Sequence, residues 1–192
     1  MSDALIAVPP GHVGAVVTFL EMNARPAPAP IPDSPLRMER WDAVDPGRYR
    51  ALFARVGGRW LWFSRLAMAD SELLAKVGEV HEVLDENGDS AGMLELDFGA
   101  PGICQIRFLG LVHTLAGRGH GRWLLAQTLA RAWAEGIAQV RVHTCSLDHP
   151  AALPAYLRAG FSAYGRAFES FPDPRLTGLL PRDAAPQLPL LG

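Results

Sequence analysis

The chain has 192 residues, of which 49% are hydrophobic and 20% are charged, and its formal net charge is −2. This length and apolar content suffice for one sizeable core, so we expect a single domain over residues 1–192. The small net charge and the lack of a lysine or arginine run in the sequence argue against nucleic acid or an anionic membrane as the partner.

The cysteines and the amino-terminal residues bear on the environment of the protein. Cys104 and Cys145 are too few and too far apart for a disulfide scaffold or a zinc cluster, so we expect no metal and interpret both as buried thiols in a reducing cytoplasm. No apolar run reaches the roughly 18 residues of a membrane span. Asp3 stands where a secretory signal carries a basic residue. We predict a cytoplasmic protein that acts as a monomer or homodimer.

The first predicted elements are a strand, a connector and a helix. Residues 12–22 are rich in β-branched and aromatic side chains, which favours a strand. Residues 23–37 alternate proline with small residues and predict an extended connector. Asp45 followed by Pro46 is typical of a helix N-cap and first helical position, and the helix is expected to stop at the Gly57-Gly58 pair.

Further along, a second short helix is predicted over residues 70–78, with Asp70 as its cap. From residue 79 the apolar period changes to two, and turn signals at 86–89 and 99–102 separate three strand-like runs. These three runs predict an antiparallel meander.

The second half of the chain predicts a crossover. A helix is expected from about residue 119 to 135, ended by Gly136, with a strand over 138–147. A strand, helix and strand of this size imply a parallel pair, so the fold class is α/β of the α+β type, with a mixed, mostly antiparallel sheet and flanking helices. Residues 172–192 are expected to form an irregular tail.

Three glycines lie at the entrance of the crossover helix, in the sequence "LAGRGHGRW" (residues 115–123). Glycine lowers helix stability by roughly 1 kcal/mol relative to alanine, so this cluster indicates that a ligand approaches the main chain. The N–H groups of residues 117–122 would lie at the positive end of the helix, with Arg118 and Arg122 beside them, which suits a diphosphate.

The glycine cluster does not fit the spacings of two known phosphate-binding motifs. A dinucleotide fingerprint needs a third glycine where Arg122 or Leu124 stands, and a P-loop needs a lysine followed by serine or threonine where Arg122 and Trp123 stand. Both motifs fail. A tight strand-to-helix turn that binds nothing remains open on these residues alone.

Two motifs resemble those of the GNAT N-acyltransferase superfamily. The run "LAGRGHGRWLL" resembles the acetyl-CoA signature R/Q-x-x-G-x-G/A, with Gly119-His120-Gly121 in the G-x-G place and Ala116 in the first place. The run "DHPAALPAYLRAGF" (148–161) is similar to the later family motif, with His149 where asparagine is common and with Tyr156 and the final Gly-Phe matching. The resemblance covers residues 79–166 in detail and residues 12–78 more loosely.

The resemblance implies acetyl-CoA as cofactor and a site for it between two splayed strands. Main-chain N–H groups near Leu109 and Leu111 resemble the family's contacts to the thioester and pantetheine. Tyr156 matches the tyrosine that protonates the leaving thiolate. The implied cofactor-binding residues are Leu109, Leu111, Val112, Gly117, Arg118, Gly119, His120, Gly121, Arg122 and Trp123.

The acceptor side is predicted from strand alternation and charge. Glu95 alternates with Leu94 and Leu96, so we expect it to face the cleft, where it would serve as the base and attract the acceptor ammonium. Arg59 and Arg65 are hypothesised to pair with an acceptor carboxylate. The aromatic residues near these arginines are assigned to the core: Trp60, Trp62 and Phe63.

These features together predict a transfer of acetyl from acetyl-CoA to a primary amine of a small molecule or a peptide N-terminus, by direct attack on the thioester. Two alternatives stay open. One is a catalytically idle acyl-CoA-binding or regulatory module on the same fold, and the other is a nucleotide-binding protein.

Overall fold

The computed structural model describes residues 5–191, and within them the chain forms one seven-stranded sheet flanked by four α-helices. The strands are β1 His12–Met22, β2 Arg37–Arg40, β3 Glu79–Leu84, β4 Ser90–Ala100, β5 Ile103–Leu111, β6 Gln139–Cys145 and β7 Ser162–Pro172. The helices are α1 Pro46–Gly57, α2 Asp70–Lys76, α3 His120–Ala132 and α4 Ala152–Arg158.

The strand order is β2-β3-β4-β5-β6-β1-β7. All neighbours are antiparallel except β5 and β6, which are parallel and joined through α3. This confirms the predicted mixed, mostly antiparallel sheet with one strand-helix-strand crossover.

The first helix begins where the sequence predicts. The Asp45 carboxylate accepts a hydrogen bond from the Arg48 N–H at 2.7 Å, and Pro46 occupies the first turn, where its missing N–H is no loss. Buried Tyr49, Phe53 and Val56 follow at helical spacing, so one face of α1 packs on the sheet.

The helices divide between the two faces of the sheet. On one face, α1 and α2 pack against β3 and β4 through a cluster that includes Phe53, Leu73 and Met93. On the other face, α3 and α4 pack against the central strands through Leu125, Tyr156 and their neighbours. The candidate site lies at a gap in the sheet that connects these two faces.

The structure corrects several expected element boundaries. The connector over 23–37 ends in a short edge strand, β2, which the proline pattern concealed. The second helix is capped by Ala69, with Asp70 in its first turn, and it ends at Lys76. The crossover helix ends at Ala132, three residues earlier than expected.

The first strand of the chain does not lie at an edge of the sheet. It is inserted between β6 and β7, with Val17 opposite Cys145 on one side and Ala167 on the other. The first and last strands of the chain are therefore neighbours in the sheet, an arrangement that sequence periodicity does not reveal. Beyond β7, residues 173–191 contain no regular helix or strand. No helix in the described part of the chain is both long enough and apolar enough to cross a membrane.

Candidate active site

A gap opens in the middle of the sheet, between the carboxyl ends of β5 and β6. The parallel pairing of these strands stops at Ile106 and Val142. In β5, Phe108 lies opposite Glu95 and Ile106 lies opposite Leu96, so Arg107 is the extra residue of a β-bulge that bends the strand. Past this point β6 stays with β1 and β5 stays with β4, and the two strands separate.

The gap exposes backbone donors of β5. The N–H of Val112 bonds to the carbonyl of Ala91 on the β4 side, at 2.8 Å. Because N–H groups alternate in direction along a strand, those of Leu109 and Leu111 point away from β4 and toward the gap. With β6 no longer beside them, these two donors are available to a ligand.

A cavity of about 1160 Å³ runs through this gap from one face of the sheet to the other. On the α3 side it reaches the glycine turn and Tyr156, and on the α1 side it reaches the loop of residues 58–69, called here the 58–69 loop. The predicted site residues that line it are Leu109, Leu111, Val112, Gly117, Gly119, Gly121, Arg122 and Tyr156.

The glycine turn has the backbone of an anion site. Gly117 and Gly119 have φ angles of 75° and 84°, in the left-handed region that favours glycine. Among the described residues, no protein acceptor meets the N–H groups of Gly117, Gly119, His120 and Gly121. A Cβ built on any of the three glycines would meet no heavy atom within 4 Å. The space beside the turn is therefore open. No packing contact within the described residues explains why these three positions lack side chains.

Three of the predicted cofactor-binding residues have side chains elsewhere. Trp123 is buried in a core cluster with Leu36, and does not line the cavity. The imidazole Nδ1 of His120 lies 3.1 Å from the hydroxyl of Ser34, at the end of the connector, and Arg118 is exposed. Residues 118 and 120 can reach a ligand at the turn through the backbone, whereas the Trp123 side chain is turned into the core.

Tyr156 is held at the cavity by α4. Its ring packs edge-on against Phe161 and is 8% exposed, and no side chain among residues 5–191 hydrogen-bonds its hydroxyl. Burial, with a smaller contribution from the charge of Asp148, raises the pKa of Tyr156 above its ordinary value. The phenol therefore keeps its proton and can donate it.

Asp148 organises the part of the cavity opposite the glycine turn, and sequence analysis did not single it out as functional. One carboxylate oxygen accepts from the Trp62 indole at 3.1 Å, and the other accepts from the Thr144 hydroxyl at 2.7 Å and the Cys145 N–H at 2.9 Å. These bonds tie the end of β6 to the 58–69 loop.

The aromatic residues of the 58–69 loop line the cavity, which corrects their assignment to the core alone, although Trp62 also packs against Phe53 of the core. Trp60, Trp62 and Phe63 all border the cavity, together with Phe108 from β5 and Phe171 from β7. The misassignment has a physical reason, because periodicity cannot distinguish an aromatic residue that packs on a sheet from one that packs beside a gap in it.

The C-terminal residues hold this loop in place. Leu61 adopts φ 57°, unusual for a residue with a branched side chain, and is buried against Leu180 and Ala185. The side-chain amide of Gln187 donates to the Arg59 carbonyl at 3.1 Å. Arg59 lies on this loop with its side chain exposed, and it is not among the residues that line the cavity.

Glu95 does not face the cleft, contrary to the prediction, and it does not line the cavity where a base would meet the amine. Alternation puts it on the α1 side, opposite Leu94 and Leu96, but α1 and the 58–69 loop cover it, and its exposure is 0%. Its carboxylate accepts hydrogen bonds from the Tyr49 hydroxyl, the Arg65 guanidinium and the Gly78 N–H. Arg65 is thereby committed to an internal ion pair and is not free for an acceptor carboxylate.

The position of Trp62 can be tested through Gly57. A Cβ on Gly57 would overlap the Trp62 indole. We expect Gly57→Ala to lower the free energy of unfolding by about 1–3 kcal/mol, the usual effect of overpacking. Gly58→Ala is the matched control, because the atom nearest to a Cβ at that position is Leu180 Cδ2, at an ordinary contact distance of 3.8 Å. Urea unfolding compares the two variants, and equal stabilities would contradict the packing described.

Among residues 5–191 no group of three or more histidine, cysteine, aspartate or glutamate side chains could hold a metal ion. Cys104 is buried and Cys145 is partly buried, and neither is in a disulfide. Burial raises the pKa of the Cys145 thiol to about 11, so it stays protonated at neutral pH.

A mixed sheet whose one parallel pair separates over a glycine-rich helix entrance, with a buried tyrosine lining the gap, defines an α/β protein with a cavity that passes through its sheet. Residues 17–161 match the family model described as "Acetyltransferase (GNAT) family". This is more than half of the chain, and the protein belongs to the GNAT acetyltransferase family.

Several solved structures share this fold at low sequence identity. A putative GNAT-family acetyltransferase from Novosphingobium aromaticivorans is 18% identical, with a TM-score of 0.54 over 86% of this chain and 68% of that one. A GCN5-related N-acetyltransferase from Sphaerobacter thermophilus is 19% identical, with a TM-score of 0.56 over 85% of this chain and 52% of that one. The chain thus spans about half the length of the Sphaerobacter structure.

An acetyltransferase from Bacillus cereus, described as an IAA acetyltransferase, is 17% identical, with a TM-score of 0.51 over 68% of this chain and 79% of that one. No curated protein matches the chain. At these identities the structural likeness speaks for the fold alone.

Proposed function

We propose that the protein transfers the acetyl group of acetyl-CoA to a primary amine of a small molecule or a peptide N-terminus. The single observation that carries this proposal is the gap between β5 and β6, because it joins a glycine turn with free N–H groups to a second chamber beyond the sheet. Two substrates can enter such a cavity from opposite faces and meet in the middle.

The residues of the α3 side fit the cofactor. The free N–H groups of Gly119, His120 and Gly121, at the N-terminus of α3, suit a diphosphate, and the exposed Arg122 adds positive charge. The N–H groups of Leu109 and Leu111 suit the amide and carbonyl oxygens of an extended acyl-pantetheine arm. Bound acetyl-CoA supplies the activated acyl group as a thioester.

The chain itself contributes positioning, donors and a proton. The backbone donors of β5 orient the acyl carbonyl and favour charge that develops on its oxygen. Tyr156 lines the same part of the cavity and keeps its proton, so we propose it as the acid that protonates the leaving sulfur. The aromatic side chains of the 58–69 loop exclude water from the place where the amine attacks.

The test of the cofactor site uses Gly121. Its φ is not in the left-handed region and no atom lies within 4 Å of a Cβ there, so a side chain at this position leaves the fold intact. A valine would instead occupy the space beside the free N–H groups. We expect Gly121→Val to weaken CoA binding at least tenfold, about 1.4 kcal/mol or more, as measured by isothermal titration calorimetry.

Ala130→Val is the matched control, because it puts the same side chain on an exposed position of the same helix, away from the turn. It should bind CoA as the unmodified protein does, since its added side chain does not lie beside the free N–H groups of the turn. Unchanged CoA affinity in a folded Gly121→Val protein would reject the cofactor site.

A further inference from the structure

The acceptor side of the cavity has flat apolar walls. Here the acceptor side means the part lined by the 58–69 loop and the neighbouring ends of β5 to β7. The rings of Phe63 and Phe171 lie 4.7 Å apart, and those of Trp62 and Phe108 lie 5.2 Å apart. The Trp62 indole is fixed further by its hydrogen bond to Asp148. A rigid aromatic wall of this kind favours a ligand with an aromatic or flat apolar body.

The cations of the acceptor side are already paired. Arg65 pairs with Glu95, Arg107 pairs with Asp97 at 2.6 Å, and Lys76 pairs with Glu72 at 2.7 Å. The other two arginines that line the cavity are Arg122 on α3 and Arg158 on α4, on the opposite face of the sheet. Among the described residues, an acceptor carboxylate would therefore find no unpaired arginine or lysine that lines its own side of the cavity.

One carboxylate of the acceptor side has no partner. Glu169 on β7 lines the cavity, and no hydrogen bond or ion pair to its side chain is found among residues 5–191. It lies two residues before Phe171, so both side chains point to the face that carries the 58–69 loop. The residue is exposed at the rim of the cavity, and partial burial, with a smaller contribution from the charge of Asp148, raises the pKa of Glu169.

We propose that the acceptor is a primary amine on an aromatic or flat apolar body without a carboxylate, and that Glu169 receives its ammonium group. This inference rests on the proposed function and names the substrate class for the same site. A cation in an aromatic cavity gains from both the carboxylate and the ring faces. An amino acid would bring its carboxylate near the carboxylates of Glu169 and Asp148, neither of which has an ion-pair partner among residues 5–191.

Three matched amines test the inference with the CoA-saturated protein. 2-Phenylethylamine has the ring and no carboxylate, phenylalanine has the ring and a carboxylate, and n-butylamine has neither. Binding is measured by calorimetry and by quenching of the tryptophan fluorescence. We expect 2-phenylethylamine to bind at least tenfold more tightly than either of the others, because n-butylamine lacks the ring and phenylalanine adds a carboxylate that finds no counter-charge.

Glu169→Gln should weaken the binding of 2-phenylethylamine about tenfold and leave CoA affinity unchanged. Glu86→Gln, at an exposed turn far along the chain, is the matched control and should change neither. Equal or tighter binding of phenylalanine, or unchanged 2-phenylethylamine binding in Glu169→Gln, would overturn the inference.

Failure of the proposed function gives a different result. If 2-phenylethylamine binds as expected but is not acetylated when acetyl-CoA is supplied, the recognition inference is supported and the transferase proposal fails. If acetyl transfer occurs only to amines that carry a carboxylate, the transferase proposal stands and the inference is overturned.

Discussion

Tyr156→Phe is expected to lower the rate of acetyl transfer by roughly 10²–10⁴-fold, the range typical of a positioned general acid or base. The substitution removes only the hydroxyl and keeps the ring, whose packing against Phe161 holds α4 on the sheet. The affinity for acetyl-CoA should stay nearly the same, so the loss should fall on the chemical step. Single-turnover measurement of thiol release separates this step from binding and product release.

Tyr164→Phe is the matched control, because Tyr164 is 54% exposed on β7 and does not line the cavity. It should leave the single-turnover rate unchanged. A loss below about threefold for Tyr156→Phe, under 1 kcal/mol of activation free energy, would reject the acid role.

The same experiment bears on the idle-module alternative. If the unmodified protein binds CoA tightly and releases no thiol with any amine, a binding or regulatory role is favoured over transfer. The accessible cavity on the acceptor side argues for a second substrate, since a protein that only holds an acyl-CoA does not require it.

Local signals predicted most of the fold. The Asp45-Pro46 pair marks the start of α1, and the turns at 86–89 and 99–102 separate the strands of the meander. Both depend on residues that are close in sequence. The insertion of β1 between β6 and β7 could not be predicted, because it depends on pairings between residues more than 100 positions apart.

For the candidate site too, some residues could be predicted from the sequence and others could not. The glycine turn and Tyr156 could be found because their motifs are contiguous and their backbone requirements are visible in the sequence. The aromatic wall and Asp148 were missed, because their meaning depends on the separation of β5 from β6. Whether a side chain faces a gap or a core is a property of the packed sheet.

Glu95 shows how a correct local rule led to a wrong site. Alternation correctly puts its side chain on the face opposite Leu94. The rule does not state what covers that face, and here α1 covers it. The carboxylate pairs with Arg65, whose side chain is 7% exposed, so the two charges form a buried ion pair that ties the 58–69 loop to β4.

This pair predicts an effect on stability rather than on the pH profile of transfer. Glu95→Gln leaves the Arg65 guanidinium buried without its counter-charge, so the free energy of unfolding should fall by about 3–5 kcal/mol. Arg65→Met leaves the Glu95 carboxylate in the same position and should cost a similar amount. Urea unfolding, followed by far-ultraviolet circular dichroism, measures both losses.

The double variant Glu95→Gln/Arg65→Met removes both charges, and the new amide oxygen can still accept from the Tyr49 hydroxyl and the Gly78 N–H. Its loss should therefore be smaller than the sum of the single losses, with a coupling free energy of at least about 1–3 kcal/mol. Arg37→Met and Glu39→Gln form the control cycle, since this pair is about half exposed and should couple by less than about 1 kcal/mol. Additive losses at Glu95 and Arg65 would contradict the buried pair. A pH profile of transfer that changes in folded Glu95→Gln would restore the carboxylate to the chemistry.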